Sequence, residues 1–205
     1  MLAWRWLGRA AYRDVLALQL ATRERVWAGD PGEVLLCEHP PTITLGRSAK
    51  RENILASDDA LERAGVSVEQ IERGGDVTYH GPGQLMIYPV VKLRAGVVDF
   101  LERVASAIVD GIREVGVHGA AWQREPAGVW IDGAKIAACG IHVARGVSVH
   151  GFALDVATPA DAWARIRPCG LSVAQTSVRA RAEREIQVES LAAIVGPILV
   201  TALTR

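Results

Sequence analysis

Lysine is nearly absent from this chain. Of its 23 basic residues only Lys50, Lys92 and Lys135 are lysines; the rest are arginines. A bias towards arginine would explain this without any function. It still singles out each lysine, because a buried lysine can shed its proton and an arginine cannot. Net charge is absent too, 23 basic residues balancing 23 acidic ones, which argues against bulk binding to nucleic acid or an anionic membrane. Cysteine is scarce: positions 37, 139 and 169 give an odd count and no C-x-x-C pair. Neither a disulfide framework nor a zinc knuckle follows, and a reducing cytoplasm fits. The opening MLAWRWLGRAAYRDVLALQLA lacks the ordered regions of a signal peptide, since Arg13 and Asp14 interrupt it. No apolar run reaches the roughly 20 residues of a membrane span. The longest, residues 191–203, contains Pro197. Metal motifs, a G-K-[ST] phosphate loop and a G-x-S-x-G elbow are all missing. So are repeats and linkers, which leaves one domain over residues 1–205 as the expectation.

Half of the residues are hydrophobic and 22% are charged, which excludes general disorder. A chain of this length buries about 70% of its unfolded surface without a staple. Helical spacing runs over 11–28 (Val15, Leu16, Leu18, Leu20, Val26) and stops at Gly29-Asp30-Pro31-Gly32. Val34–Glu38, Thr42–Leu45, Val66–Ile71 and Leu85–Lys92 read as strands, the last central despite Pro89. Ser57 caps a short helix to Ala64. Val98–Val115 is amphipathic, with Phe100, Leu101, Val104, Ile108 and Ile112 on one face. Gly128–Ile131, Lys135–Val143 and Val147–Val156 form a meander, turned at Asp132-Gly133 and Arg145-Gly146. Residues 159–166 and 187–203 read as helices. The expected class is α/β (α+β), without the βαβ rhythm of a Rossmann fold.

Three segments carry chemistry. Arg73–Gln84 reads R-G-G-D-V-T-Y-H-G-P-G-Q. Such composition suits a long turn; it equally suits backbone laid against a ligand. The interleaved Arg73, Thr78, Tyr79, His80 and Gln84 supply more donors and acceptors than a turn needs. In Gly128–Val156, Lys135 opens an apolar strand, where it is either a hairpin-rim lysine or a drawn-in base. Cys169 stands between Pro168 and Gly170, a turn that would expose its sulfur, whereas Cys37 and Cys139 sit in apolar runs. Near Lys135 such a thiol could serve as a nucleophile. Among the histidines, 39 and 118 fall in expected loops without a role, while His80 and His150 are flanked by glycine and are candidates to line a site.

These segments resemble one family. R-G-G-D-V-T-Y-H-G-P-G-Q-L at 73–85, G-V-W-I-D-G-A-K-I at 128–136, V-H-G-F-A-L-D-V at 149–156 and R-P-C-G-L at 167–171 are similar to lipoyl(octanoyl) transferases, as is T-I-T-L-G-R at 42–47. The resemblance implies a mixed, largely antiparallel sheet flanked by helices, like that of biotin and lipoate protein ligases. It implies no cofactor and no metal. Cys169 would take an octanoyl group from octanoyl-acyl carrier protein as a thioester. A lysine of a lipoyl domain, in a 2-oxoacid dehydrogenase complex or the glycine cleavage H protein, would then receive it as an amide. Lys135 would favour the Cys169 thiolate and accept protons. Substrate contacts would come from Arg73, Gly74, Gly75, Asp76, Val77, Thr78, Tyr79 and His80. Further contacts would come from Ala138, Cys139, Gly140, Gly151, Phe152 and Ala153, with His150 and Gln84 lining the site. Arg47, Arg51, Arg145, Arg165 and Arg167 would be docking charges. Nucleic acid and membrane are not expected partners. Two rivals remain open: an ATP-dependent lipoate or biotin protein ligase, and a non-catalytic module that binds acyl groups or lipoyl domains.

Overall fold

The computed structural model describes residues 1–167, 173–182 and 184–205. Cys169, with Pro168, Gly170, Leu171 and Ser172, lies outside the described residues.

Ten described strands form two sheets. They are β1 (Ala3–Arg9), β2 (Glu33–Glu38), β3 (Thr42–Leu45), β4 (Ser67–Gln70), β5 (Val77–His80), β6 (Gln84–Val90), β7 (Ala121–Gln123), β8 (Gly128–Ile131), β9 (Ala134–Ala144) and β10 (Val147–Asp155). The larger sheet has the order β1-β2-β6-β10-β9-β8-β7 and the smaller β4-β3-β5. The helices are α1 (Tyr12–Trp27), α2 (Asp58–Arg63), α3 (Val97–Arg113), α4 (Ala160–Trp163), α5 (Val178–Arg181) and α6 (Val188–Thr204).

Two parallel crossovers stand within otherwise antiparallel sheets, without the repeated βαβ rhythm of a Rossmann fold. β1 pairs β2 in parallel across α1, and β3 pairs β4 in parallel across α2. A parallel pair requires such a crossover, and helices serve for both. The remaining pairs are antiparallel, including the expected meander. Its two turns have positive φ at both central residues, Asp132-Gly133 at 48° and 74° and Arg145-Gly146 at 51° and 77°. That twist matches the strands it joins.

Period-two alternation divides the core. On β6, Leu85 and Ile87 face α3 and α6, while Met86, Tyr88 and Val90 face α1. The apolar face of α3 buries Phe100, Val104, Ile108 and Ile112, each worth about 1.5–3 kcal/mol. The apolar stretch near the C-terminus is α6, which buries Leu191, Ala192, Val195 and Leu199. No described helix is long and apolar enough to cross a membrane. Pro89 is tolerated in a central strand because β10 pairs β6 only from Phe152 to Asp155. Beyond that ladder Ser148 takes over, donating its hydroxyl to the Pro89 carbonyl at 2.6 Å.

α1 departs from the expected pattern. Its buried residues are Tyr12, Val15, Gln19, Thr22 and Val26, while Leu20 is exposed. A polar side chain is buried only when it finds a partner, and Gln19 accepts from the His150 backbone N–H at 2.7 Å.

Candidate active site

A cavity of about 380 Å³ opens between the α1 side of the larger sheet and the segment from Arg73 through β5. That size suits a small-molecule pocket. Its walls gather residues far apart in sequence: Arg73–Thr78 and His80, Ala138–Gly140 of β9, His150–Ala153 of β10, and Lys135.

Two residues expected at the site face elsewhere. Tyr79 points to the opposite side of β5, into the small sheet's own core, with its ring 6.1 Å from that of Trp163. Gln84 is fully buried behind His80 rather than lining the cavity. The glycines of 73–84 also divide. Gly74 and Gly75 line the cavity, whereas Gly81 and Gly83 serve packing. A Cβ on Gly83 would come within 2.6 Å of the Ala157 backbone. Asp76 uses its side chain as well as its backbone. The carboxylate accepts from Asn53 Nδ2 at 2.5 Å, and the Asn53 carbonyl accepts from the Arg167 N–H at 2.8 Å.

One end of the cavity is a buried polar cluster. Arg73 donates from Nε and NH2 to Thr44 Oγ1 and from NH2 to the Thr44 carbonyl at 2.8 Å. The Tyr12 ring stacks on His80 at 5.9 Å and packs against His39 at 5.0 Å. The Tyr12 hydroxyl lies 3.4 Å from His150 Nδ1. His39, expected to be an idle loop residue, is fully buried. Its Nδ1–H donates to the Ala10 carbonyl at 2.7 Å, and its Nε2 accepts from the Tyr88 hydroxyl at 2.9 Å. Burial pushes His80 down to about 3 and His150 down to about 4, and the neighbouring Arg73 adds to both shifts. Burial lowers His39 as well. All three rings are therefore neutral at physiological pH. His150 has a φ of 62°, left-handed for a residue with a side chain. Gly151 follows it because a Cβ there would fall 2.0 Å from the Ile87 carbonyl oxygen. Left-handed strain of this kind costs about 1–2 kcal/mol, and here it accompanies a ring that lines the cavity.

The other end holds Lys135, which is only 9% exposed. Its Nζ donates to the Ala127 carbonyl at 3.3 Å and sits 4.9 Å from the centre of the Trp130 ring. The chain just after the undescribed stretch runs alongside it. Lys135 N–H donates to the Ala174 carbonyl at 2.8 Å, and Thr176 N–H donates to the Lys135 carbonyl at 2.9 Å. Val173 and Gln175 line the cavity there.

The five arginines expected to dock partners differ in their surroundings. Arg51 pairs with Asp58, and Arg165 with Asp161 at 3.6 Å. Arg47 donates to His142 Nδ1 at 2.8 Å, and the Arg145 guanidinium lies 4.6 Å from the centre of the Trp27 ring. Arg167 is held by its backbone to Asn53.

Sequence reasoning missed Tyr12, Thr44, Met86, Tyr88 and Trp163. Tyr12, Met86, Tyr88 and Trp163 line the cavity, and Thr44 holds Arg73. The available signal was weak: a tyrosine opening a helix and a pair of threonines alternating in T-I-T-L.

Known proteins share this chain's sequence and shape. The family defined as the lipoyl protein ligase A/B catalytic domain matches residues 11–197. An octanoyltransferase of Solibacter usitatus is 45% identical over 184 residues, covering 86% of this chain and 81% of that one. One of Acidobacterium capsulatum is 42% identical over 185 residues, covering 81% and 74%. Among solved structures, a lipoate-protein ligase A bound with ATP has a TM-score of 0.83 at 15% identity, covering 99% of this chain and 85% of that one. A biotin protein ligase from Aquifex aeolicus reaches 0.53 at 10% identity, covering 99% and 68%. At such identities the structural likeness concerns the fold.

Proposed function

Since the chain belongs to the lipoyl protein ligase A/B catalytic-domain family, among its octanoyltransferases, we propose that it moves an octanoyl group from octanoyl-acyl carrier protein to a lipoyl-domain lysine. The observation that carries this reading is the cavity, with Lys135 at one end and small residues along its walls. Gly140, Gly151, Ala138 and Ala153 leave room for an unbranched chain, whose burial is worth about 0.8 kcal/mol per methylene.

The reaction has two steps. The Cys169 thiolate attacks the donor's carbonyl carbon; a new C–S bond forms, and the carrier's thiolate leaves and takes a proton. The acceptor lysine's amine then attacks the enzyme thioester, an amide forms, and Cys169 is released. Lys135 accepts the proton from the thiol in the first step and from the attacking amine in the second. Thioester to thioester is nearly balanced and thioester to amide is downhill, so neither step needs ATP. The acceptors are lipoyl domains of 2-oxoacid dehydrogenase complexes or the glycine cleavage H protein, and the reaction belongs to the cytoplasm.

The test is to mix the protein with octanoyl-acyl carrier protein and a lipoyl domain in the absence of ATP. Octanoylation of the domain is expected. Transfer that appears only when ATP is added would replace this reading with that of a ligase.

A further inference from the structure

The histidine end of the cavity is tied to a carboxyl that neither chemical step uses. Asp155, at the end of β10, is 3% exposed and does not line the cavity. No described arginine or lysine pairs with it. Its Oδ1 accepts from Gln84 Nε2 at 2.9 Å and from the Thr158 hydroxyl at 2.7 Å. Burial pushes its pKa up to about 7, so it is ionised only above that point.

From Asp155 a chain of hydrogen bonds runs to Arg73, and its direction can be read from either end. An ionised carboxylate only accepts. Gln84 therefore turns its NH2 towards Asp155 and its Oε1 towards His80, whose Nδ1 lies 2.9 Å away. His80 must then carry its proton on Nδ1. From the other end, a guanidinium only donates. Arg73 gives Thr44 Oγ1 two hydrogen bonds, at 2.9 and 3.2 Å, so the hydroxyl proton points elsewhere. His80 Nε2 lies 3.4 Å from that oxygen and receives it, again leaving the proton on Nδ1. The two ends agree at His80, and the Gln84 contact at 2.9 Å is much shorter than the Thr44 contact at 3.4 Å, so the Gln84 side decides the tautomer. Thr44, His80, Gln84 and Asp155 are all buried.

We propose that Asp155 is a positioning residue: acting through Gln84 it fixes His80 as the Nδ1–H tautomer, which turns the Thr44 hydroxyl to receive and hold Arg73 at the cavity wall. The consequence for transfer rests on the function proposed above, whereas the tautomer can be read without substrate.

The experiment uses whole protein labelled with 15N-histidine, its ring nitrogens followed by NMR above the carboxyl's value of about 7. His80 is assigned by the signals lost in His80→Gln. The wild-type ring is expected to carry its proton on Nδ1. In Asp155→Asn the terminal group can donate as well as accept, Gln84 can turn over, and a population with the proton on Nε2 appears. Gln84→Leu removes the acceptor facing Nδ1 and should give the same Nε2–H population, so this variant serves if Asp155→Asn does not fold, and a Gln84→Leu ring that stays wholly Nδ1–H would equally overturn the proposal. ATP-free transfer by Asp155→Asn should fall about tenfold, the effect of one misdirected hydrogen bond. A wild-type proton on Nε2, an Asp155→Asn ring that stays wholly Nδ1–H, or undiminished transfer by that variant would each overturn the proposal. If wild-type protein gives no ATP-free transfer, the octanoyltransferase reading fails instead, and the ring signals are unaffected.

Discussion

The two ends of the cavity are built differently. At the Arg73 end, each polar side chain is fixed by partners that are themselves fixed, from Thr44 and Gln84 to His39 and Tyr88. At the Lys135 end, the ammonium's partners among the described residues are one carbonyl at 3.3 Å and the face of a tryptophan ring. Among the described residues no carboxylate pairs with Lys135. The difference separates two tasks. A group that holds a substrate gains from rigid, reciprocal hydrogen bonds, whereas a group that trades protons must be able to exist in both forms.

Substitutions can break this contrast. The largest effect is expected for Lys135→Arg, which keeps the charge and loses the exchangeable proton. ATP-free transfer should fall by roughly two to four orders of magnitude in a steady-state assay. Near-normal rates would remove Lys135 from the role of base. Next comes Arg73→Lys, which cannot reproduce the forked contact with Thr44. A loss of about ten- to a hundredfold in kcat/KM is expected, matching about 1.5–3 kcal/mol for a charge-assisted hydrogen bond.

The rigid end also leaves a mark on stability. Histidines with depressed pKa values stabilise the fold fully above about 6.5 and lose that contribution as pH falls towards 4 for His150 and 3 for His80. Asp155 works in the opposite sense. Its raised value means that stability falls as pH rises from 3.8 to about 7. Chemical denaturation of Asp155→Asn should therefore show a steeper rise in stability from pH 4 to 6.5 than wild type, by about 1.4 kcal/mol per pH unit. Parallel curves would refute the assignment of Asp155. The smallest effect concerns His150. Gly tolerates its φ of 62°, so His150→Gly should be more stable than His150→Ala by about 1–2 kcal/mol, read from urea midpoints.

Much of the fold was legible because its signals are local. Ser57 caps α2 by accepting from the Ala60 N–H, and both hairpin turns adopt the backbone their Asp-Gly and Arg-Gly pairs suggest. β1 was overlooked, since its short A-W-R-W-L-G-R run gains its place only by pairing with β2 across α1. β5 was hidden within a glycine-rich stretch that reads as loop. At the site, Arg73, Lys135 and the small residues of β9 and β10 were legible from their motifs, and the structure brings them to one cavity. The polar cluster was not, because its partners are remote: 131 residues separate Gln19 from His150, and 138 separate Tyr12 from His150. Nothing in a local window tells a buried histidine such as His39 from one in a loop.

Two thiols bear on the proposed chemistry, Cys139 lining the cavity and Cys169 outside the described residues. Intact-protein mass spectrometry after octanoyl-acyl carrier protein is added without ATP tells them apart. An octanoyl mass gain is expected in wild type and in Cys139→Ala, and none in Cys169→Ser. A gain that survives Cys169→Ser, or no gain in wild type, would contradict the thioester route.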